Sequence, residues 1–154
     1  NVKEDGDRDE VFWEERLKII TPHHVQRRAI NGAIQELWGR PSDFQAKVQT
    51  VEKLQGQEAD VVVCCYGISD IDQIRNEVGF VYSPLRFNVS ITRAKRKNVL
   101  VVAETLLKRP HSLILEDASA ERGYNYIRDT VERAEKECPG SVISLKIEDL
   151  AGRL

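Results

Sequence analysis

The stretch LRFNVSITRAKRK, residues 85–97, carries the side chains best suited to bind an anion. We predict a short basic helix there, because at 100° per residue four polar side chains would fall within about 60° of arc. These are Arg86, Ser90, Arg93 and Lys97. No acidic residue occurs within residues 85–103, so the sequence offers these cations no neighbouring partner. Because a planar, permanently charged guanidinium such as that of Arg93 matches two phosphate oxygens at once, the stretch predicts a phosphate site.

A second candidate for the same chemistry is the sequence TPHHVQRR, which follows a short apolar stretch. We expect a helix to begin there, with the Thr21 hydroxyl as its N-cap and Pro22 at its first position. The exposed N–H groups of a helix start favour phosphate, and Arg27 would place a guanidinium within one turn of them. Gln26 would lie on the same side of this helix.

The third candidate is the turn QGQE, residues 55–58. Gly56 would let a backbone approach a ligand closely, and the neighbouring amides both donate and accept hydrogen bonds. The Glu58 carboxylate could accept hydrogen bonds from hydroxyl groups or orient an arginine. Each of the three stretches alone is typical of a polar turn or a solvated helix face, so their significance depends on their occurring together.

The elements that would position these residues alternate between strands and helices. Apolar stretches predict strands at LKIIT, KVQTV, DVVVCCY and NVLVVA, and helical periodicity predicts helices over residues 22–38, 85–97 and 120–138. Residues 67–84 are expected to form a long polar loop, and SVISLKI alternates as an edge strand does. Continuous apolar strands are typical of sheets covered on both faces, so we predict an α/β fold with a mainly parallel sheet. All three turns would then lie at or beyond the carboxyl ends of strands, or on helices packed beside them.

Composition limits the function further. The 154 residues fit one domain, with 41% hydrophobic residues, 31% charged residues and a net charge of −2. A nearly neutral chain has no protein-wide basic field, so nucleic-acid binding would need a local basic patch. Three cysteines, two of them adjacent, do not make a disulfide framework, which favours the cytoplasm or, in a eukaryote, the nucleus. No apolar run has the length of a membrane span, and three histidines without a CxxC or HxxxH pattern predict no metal site.

Three stretches, in this order, resemble motifs IV, V and VI of superfamily 1 helicases: TPHHVQRR, VQTVEKLQGQEADVVV and GFVYSPLRFNVSITRAKRKNVLVV. The branch is the one that includes the RNA helicase of nonsense-mediated decay and related DNA replication and repair helicases. The resemblance covers residues 19–103 and implies the second RecA-like motor domain of such an enzyme, with a three-layer P-loop NTPase fold. Such a domain would bind single-stranded DNA or RNA together with an upstream RecA-like domain of the same polypeptide.

The resemblance also implies roles for individual residues. Arg27 and Arg93 would contact the γ-phosphate of ATP, with Arg93 as the arginine finger. Four further residues would line the nucleotide cleft: Gln26, Gly56, Glu58 and Arg86. Four others would contact the nucleic acid: Thr21, Pro22, Thr50 and Val51.

The sequence lacks both a GxxxxGK[ST] phosphate loop and a strand ending in a pair of acids, the parts that bind ATP and Mg²⁺. We therefore expect both cofactors to be bound mainly by the upstream domain and the chain alone to be inactive. The chain begins at Asn1 and contains no methionine, so we expect a piece of a longer polypeptide. Two residues depart from the family's motif VI region, where Leu85 replaces the usual arginine and Ser83 an aspartate or asparagine.

We predict one domain in three parts: an acidic linker and domain start over residues 1–18, the motor core over 19–110, and a C-terminal helix and edge strand over 111–154. Two other functions fit the sequence. A non-catalytic nucleic-acid-binding α/β module would use the basic helix against a phosphate backbone, and would give Glu58 no role. The other is a response-regulator-like or structural α/β domain, in which Arg93 would have no role.

Overall fold

A four-stranded parallel sheet forms the centre of the computed structural model, which describes residues 11–37, 48–54, 56–108 and 117–146. Its strands are β1 (Leu17–Thr21), β2 (Val48–Thr50), β3 (Ala59–Tyr66) and β4 (Ala94–Val102). They lie in the order β2-β1-β3-β4, with every described pairing parallel. The predicted α/β class and parallel sheet are therefore confirmed.

Helices cover both faces of this sheet. They are α1 (His24–Leu37), α2 (Ile71–Asn76), α3 (Val78–Val81), α4 (Pro84–Ile91), α5 (Glu104–Leu107) and α6 (Ala118–Glu137). A π-helical turn, Phe12–Arg16, precedes β1, and a 3₁₀ turn, Val51–Leu54, follows β2. The resulting three layers are consistent with a RecA-like fold.

Two hydrophobic clusters hold the layers together, one on each face. The smaller cluster joins Trp13, Ile19 and Val48 to the inner side of α1, where Ile30 and Ile34 are partly buried. The larger cluster joins the other face to the 3₁₀ turn and to α2 through α6; its large fully buried side chains include Tyr66, Tyr82, Phe87, Ile20 and Leu54. Since alternate residues of a strand point to opposite faces, Ile19 and Ile20 belong to different clusters.

The predicted helix over residues 120–138 is confirmed as α6. Asp117 caps it by accepting hydrogen bonds from the N–H groups of Ser119 and Ala120. Gly123 lies directly over α3's end, since a Cβ at this position would lie 1.6 Å from the carbonyl oxygen of Tyr82. This glycine allows α6 to pack against the core.

The predicted edge strand SVISLKI is wrong for residues 141–146, which form no strand. Val142, Ile143 and Leu145 are exposed there. Alternating apolar residues favour a strand only where a sheet edge is available to pair with them, and no described strand pairs with this segment. Residue 147 and those after it lie outside the described residues.

The predicted long loop over residues 67–84 is also wrong, because α2 and α3 occupy most of it. The Asp70 side chain starts α2 by accepting hydrogen bonds from the N–H groups of Asp72 and Gln73. Ile74 and Val81 anchor the two short helices in the larger cluster. Helices of six and four residues are too short to show a helical period from which they could be predicted.

The predicted basic helix over residues 85–97 is shorter in the structure, where α4 ends at Ile91. Ala94 already pairs with Ala59 as the first residue of β4. Arg93 therefore lies in the turn between α4 and β4, and Lys97 lies on the strand, so the four polar residues do not share a helix face. Parallel pairing with β3 overrides the local helical pattern.

The start of the first predicted helix is displaced as well. Thr21 is the last residue of β1 rather than an N-cap, and α1 begins at His24. Parallel pairing of Thr21 with Thr50 of β2 keeps the Thr21 backbone extended.

Candidate functional site

The amino edge of the sheet brings together two of the three predicted turns. The Ala59 N–H, at the start of β3, donates to the Arg93 carbonyl, just before β4, at 3.1 Å. Gly56 and Glu58 immediately precede β3. One hydrogen bond therefore fixes the backbone of Arg93 beside the turn that carries Glu58.

Arg93 is half-buried at this edge, and its side chain is held only loosely. Its Nε donates to the Val89 carbonyl at 3.1 Å, in the last turn of α4. One terminal nitrogen contacts the Thr92 hydroxyl at 3.5 Å, near the limit for a hydrogen bond. Arg93 forms no ion pair with any described residue, so most of the donors of its guanidinium fork are available to an anion.

The turn before β3 has a left-handed backbone conformation at Gly56, which favours glycine. Gly56 has φ +83°, in the left-handed region that glycine adopts without strain, and nothing lies within 4 Å of the place of a Cβ. Glu58 is exposed and makes no hydrogen bond or ion pair with the part of the chain that the structure describes. Both features fit a turn that a ligand can approach.

A buried lysine at the same edge was missed in the sequence. Lys18, in β1, is 5% exposed, and its Nζ donates to the Gln57 side-chain oxygen at 3.0 Å. The Gln57 amide in turn donates to the Lys53 carbonyl at 3.2 Å. Lysine is almost never so buried without a partner. The only signal in the sequence is a lysine within the apolar strand LKIIT.

The carboxyl edge holds the other predicted residues. Thr21 and Thr50 end β1 and β2, lie opposite each other in the parallel register, and are both buried. The Thr21 hydroxyl forms a hydrogen bond with the Gln26 amide. With this amide oriented so that donors face acceptors, its nitrogen donates to the Cys65 carbonyl at 3.1 Å and its oxygen accepts from the Gly67 N–H at 3.2 Å. Gln26 thus ties the end of β1 to the end of β3.

Three more predicted residues lie near this edge. Pro22 and Val51 are buried, and Val51 belongs to the larger hydrophobic cluster, so only its main chain could reach a ligand. Arg27, in the first turn of α1, is half-buried, and its Nε is buried without a hydrogen-bond partner among the described residues. An unsatisfied buried guanidinium nitrogen suits an incoming anion.

Arg86 has partners that no local sequence pattern indicates. Its Nε donates to a Glu52 carboxylate oxygen at 2.9 Å, and its guanidinium carbon lies 4.0 Å from the centre of the Phe80 ring. Burial alone would raise the pKa of Glu52. The Glu52 backbone N–H, the Arg86 charge and the Thr50 hydroxyl together hold the pKa of this carboxyl below its ordinary value. Arg86 therefore already has a carboxylate and a ring as neighbours.

The expectation that all three turns lie at the carboxyl ends of strands, or on helices beside them, is wrong for two turns. Residues 56–58 and Arg93 lie at the amino ends of β3 and β4, whereas Thr21, Gln26 and Thr50 lie at the carboxyl edge. At about 3.3 Å per residue, the two edges are about 20 Å apart along the strands. The chain therefore has two candidate sites rather than one.

Two further properties concern membranes and metals. None of the described helices is long and apolar enough to cross a bilayer. Over the same residues, no group of three or more histidine, cysteine, aspartate or glutamate side chains is arranged to hold a metal ion.

A parallel sheet between two helical layers, with an arginine at one edge and paired hydroxyls at the other, defines an α/β domain of the RecA-like kind. A family model described as an AAA domain matches residues 3–105. The chain belongs to this AAA domain family, and it is a superfamily 1 helicase-related domain. The predicted family is thereby confirmed.

Curated relatives carry helicase names. Putative helicase MOV-10 of Gallus gallus is 35% identical over 130 residues, which are 75% of this chain and 13% of that protein. Probable helicase MAGATAMA 3 of Arabidopsis thaliana is 32% identical over 94 residues, 60% of this chain and 11% of that protein. ATP-dependent helicase upf1 of Schizosaccharomyces pombe is 31% identical over 102 residues, 64% and 10% of the two chains. The chain thus spans 10% to 13% of the length of these relatives.

Proposed function

We propose that this chain is the second motor domain of an ATP-dependent helicase, and that Arg93 is its arginine finger. The observation that supports this role most directly is the hydrogen bond from the Ala59 N–H to the Arg93 carbonyl. It joins the backbone of Arg93, whose guanidinium has available donors, to the first residue of β3, which directly follows the exposed Glu58. A second domain could meet both residues at the sheet's amino edge.

The proposed chemistry is phosphoryl transfer from ATP to water. Negative charge on the transferring group is stabilised by a planar guanidinium placed beside it, so Arg93 would contribute mainly in the transition state. ATP with Mg²⁺ supplies the reacting phosphoryl group and would be held mainly by the upstream domain, because this sequence has no GxxxxGK[ST] phosphate loop. Gly56 would let the backbone approach the nucleotide, and the Glu58 carboxylate would accept hydrogen bonds from the hydroxyls of the nucleotide.

Arg27 is proposed as a second arginine for the γ-phosphate, on the strength of its unpartnered Nε. Its helix starts at the opposite edge and no described contact joins it to Arg93. Closure of two domains would not shorten the distance between two arginines of one domain, so contact of both with one phosphate would require this domain itself to change conformation when ATP binds.

We assign half of a single-strand groove to the carboxyl edge. The hydroxyls of Thr21 and Thr50 are buried, so their contribution would be to fix the backbone of the strand ends rather than to contact phosphate directly. The main chain at Pro22 and Val51 would face the DNA or RNA backbone.

Substitution of Glu58 in the full-length protein tests this function. Glu58→Gln removes the charge from an exposed side chain, so we expect stability to change by no more than about 0.5 kcal/mol while ATP turnover falls. Glu104→Gln is the matched control, since it removes the same charge from an exposed pair with Lys108 at 3.1 Å. Steady-state ATP hydrolysis and thermal unfolding are measured together. Normal turnover with a large loss of stability would make Glu58 a structural residue.

A further inference from the structure

One ion pair and one helix connect the two candidate sites. Thr50 ends β2 at the carboxyl edge, and two residues later Glu52 lies in the 3₁₀ turn. The Glu52 carboxylate accepts from the Arg86 Nε at 2.9 Å. Glu52 therefore lies two residues along the chain from the proposed nucleic-acid edge and contacts a residue on α4.

Helix α4 continues this connection to the opposite edge. Arg86 lies in its first turn, and the Arg93 Nε is bonded to the Val89 carbonyl in its last turn. The last turn of the helix is fixed to β3, because the buried Ser90 hydroxyl donates to the Arg86 carbonyl at 2.9 Å and contacts the Tyr66 hydroxyl at 3.2 Å. Because the helix is held at these points, a shift at Arg86 would displace Arg93.

The Glu52–Arg86 ion pair, which connects the 3₁₀ turn to α4, is partly exposed. The side chains of Arg86 and Glu52 are 35% and 51% exposed. The Arg86 guanidinium lies against the Phe80 ring, whose neighbour is the His23 ring at 5.0 Å, just after β1. Exposed ion pairs add little to stability, so a stabilising role alone does not account for a contact that spans three elements.

We propose that the Glu52–Arg86 pair couples nucleic-acid binding at the carboxyl edge to the placement of Arg93 at the amino edge. Glu52 and Arg86 are then positioning residues, and Arg86 acts through α4 rather than as a nucleotide ligand. This inference rests on the proposed function, since it requires ATP at one edge and a single strand at the other.

Coupling of this kind is reciprocal for binding, so the same coupling free energy can be measured from either ligand. If a single strand favours the arrangement of α4 that hydrolyses ATP, a bound ATP analogue must change the affinity for the strand by the same factor as the strand changes the affinity for the analogue. Coupling factors between such sites are typically about 5- to 150-fold. A residue that only stabilises the fold would lower basal and stimulated hydrolysis together.

The experiment uses the full-length protein with Glu52→Gln, and Glu104→Gln as the matched control for loss of one exposed carboxylate. ATP hydrolysis is measured with and without saturating oligo-dT or oligo-U, and oligonucleotide affinity is measured with and without a non-hydrolysable ATP analogue. We expect Glu52→Gln to keep basal hydrolysis and unliganded oligonucleotide affinity within about twofold, and to lose about fivefold or more of the stimulation and of the analogue effect. The exchanged pair Glu52→Arg with Arg86→Glu should restore part of both.

The outcomes separate this inference from the function on which it rests. Wild-type protein that shows no oligonucleotide-stimulated hydrolysis would overturn both. Stimulated wild-type protein together with a Glu52→Gln variant that retains full stimulation would overturn the coupling alone. An equal fall of basal and stimulated rates, with a lowered melting temperature, would also overturn it and make the pair structural.

Discussion

The three cysteines differ in their environments, and their reactivity reports on the sheet directly. Burial raises the pKa of Cys64 to about 12, with a smaller effect of neighbouring Cys65, and raises the pKa of Cys65 to about 11. Cys138, at the end of α6, is exposed. Because the thiolate is the nucleophile, the two strand cysteines should be unreactive at neutral pH.

We therefore expect a thiol reagent to modify one cysteine rapidly in the native domain and all three after unfolding in urea. Mass spectrometry identifies the modified residue, and Cys138→Ser should abolish the rapid phase. Rapid modification of Cys64 or Cys65 in the native domain would mean that β3 is not buried as described.

Residue properties were predictable where a group acts alone, and residue contacts were not where the partner is distant. The permanent charge of Arg93 and the conformational freedom of Gly56 follow from residue type, because both properties are intrinsic. Arg86 and Gln26 were predicted as nucleotide ligands only through the resemblance to helicases. Glu52 and Phe80 lie far from Arg86 in sequence or on another element, and the partners of Gln26 come from β1 and β3, so only the fold shows these contacts.

At the scale of elements, two helix-interior glycines provide a matched pair for testing the packing of α6. Gly123→Ala would force a Cβ against the Tyr82 backbone carbonyl, which cannot move as a flexible side chain would. Overpacking of this kind costs about 1–3 kcal/mol. Gly32→Ala in α1 meets nothing within 4 Å and should stabilise the protein by about 0.5–1 kcal/mol through helix propensity.

Urea unfolding of the two variants measures both effects on the same scale. We expect the midpoint to fall for Gly123→Ala and to rise for Gly32→Ala. Equal midpoints for the two variants would contradict the close approach of α6 to α3.

Elements were predicted well where the pattern is long and apolar. The β3 sequence has three consecutive valines, and α6 has a long helical repeat of apolar residues. Neither pattern is typical of a loop. Errors occurred at short elements and at boundaries. α2 and α3 are too short for a periodic signal, and the end of α4 is decided by pairing of Ala94 with Ala59, a contact between residues 35 positions apart.

At the scale of the whole molecule, charge and side-chain composition differ between the two edges of the sheet. The net charge is −2, yet the amino half of β4 presents Lys95, Arg96 and Lys97, all exposed and without an ion pair to a described residue. This basic strand adjoins the turn of Arg93. Because the sequence has no phosphate loop, the proposed finger would act on a nucleotide held by another domain.

The upstream domain of the proposed function was expected from the family resemblance and from what the sequence lacks, whereas the position of Arg93 required the sheet. Parallel order alone predicts sites at carboxyl ends. The hydrogen bond between Ala59 and Arg93 shows that this rule does not hold for Arg93.

The most direct test of Arg93 as the arginine finger is ATP hydrolysis by the full-length protein with Arg93→Lys. Lysine keeps the charge but lacks the planar fork, and an arginine finger is typically worth about 10³–10⁵ in rate. We expect oligonucleotide-stimulated kcat to fall by about that factor while the melting temperature and unliganded oligonucleotide affinity stay unchanged. Arg96→Lys, the same substitution on the exposed part of β4, should keep kcat close to the wild-type value. Retained turnover in Arg93→Lys, or an equal loss in both variants, would contradict the assignment of Arg93 as the finger.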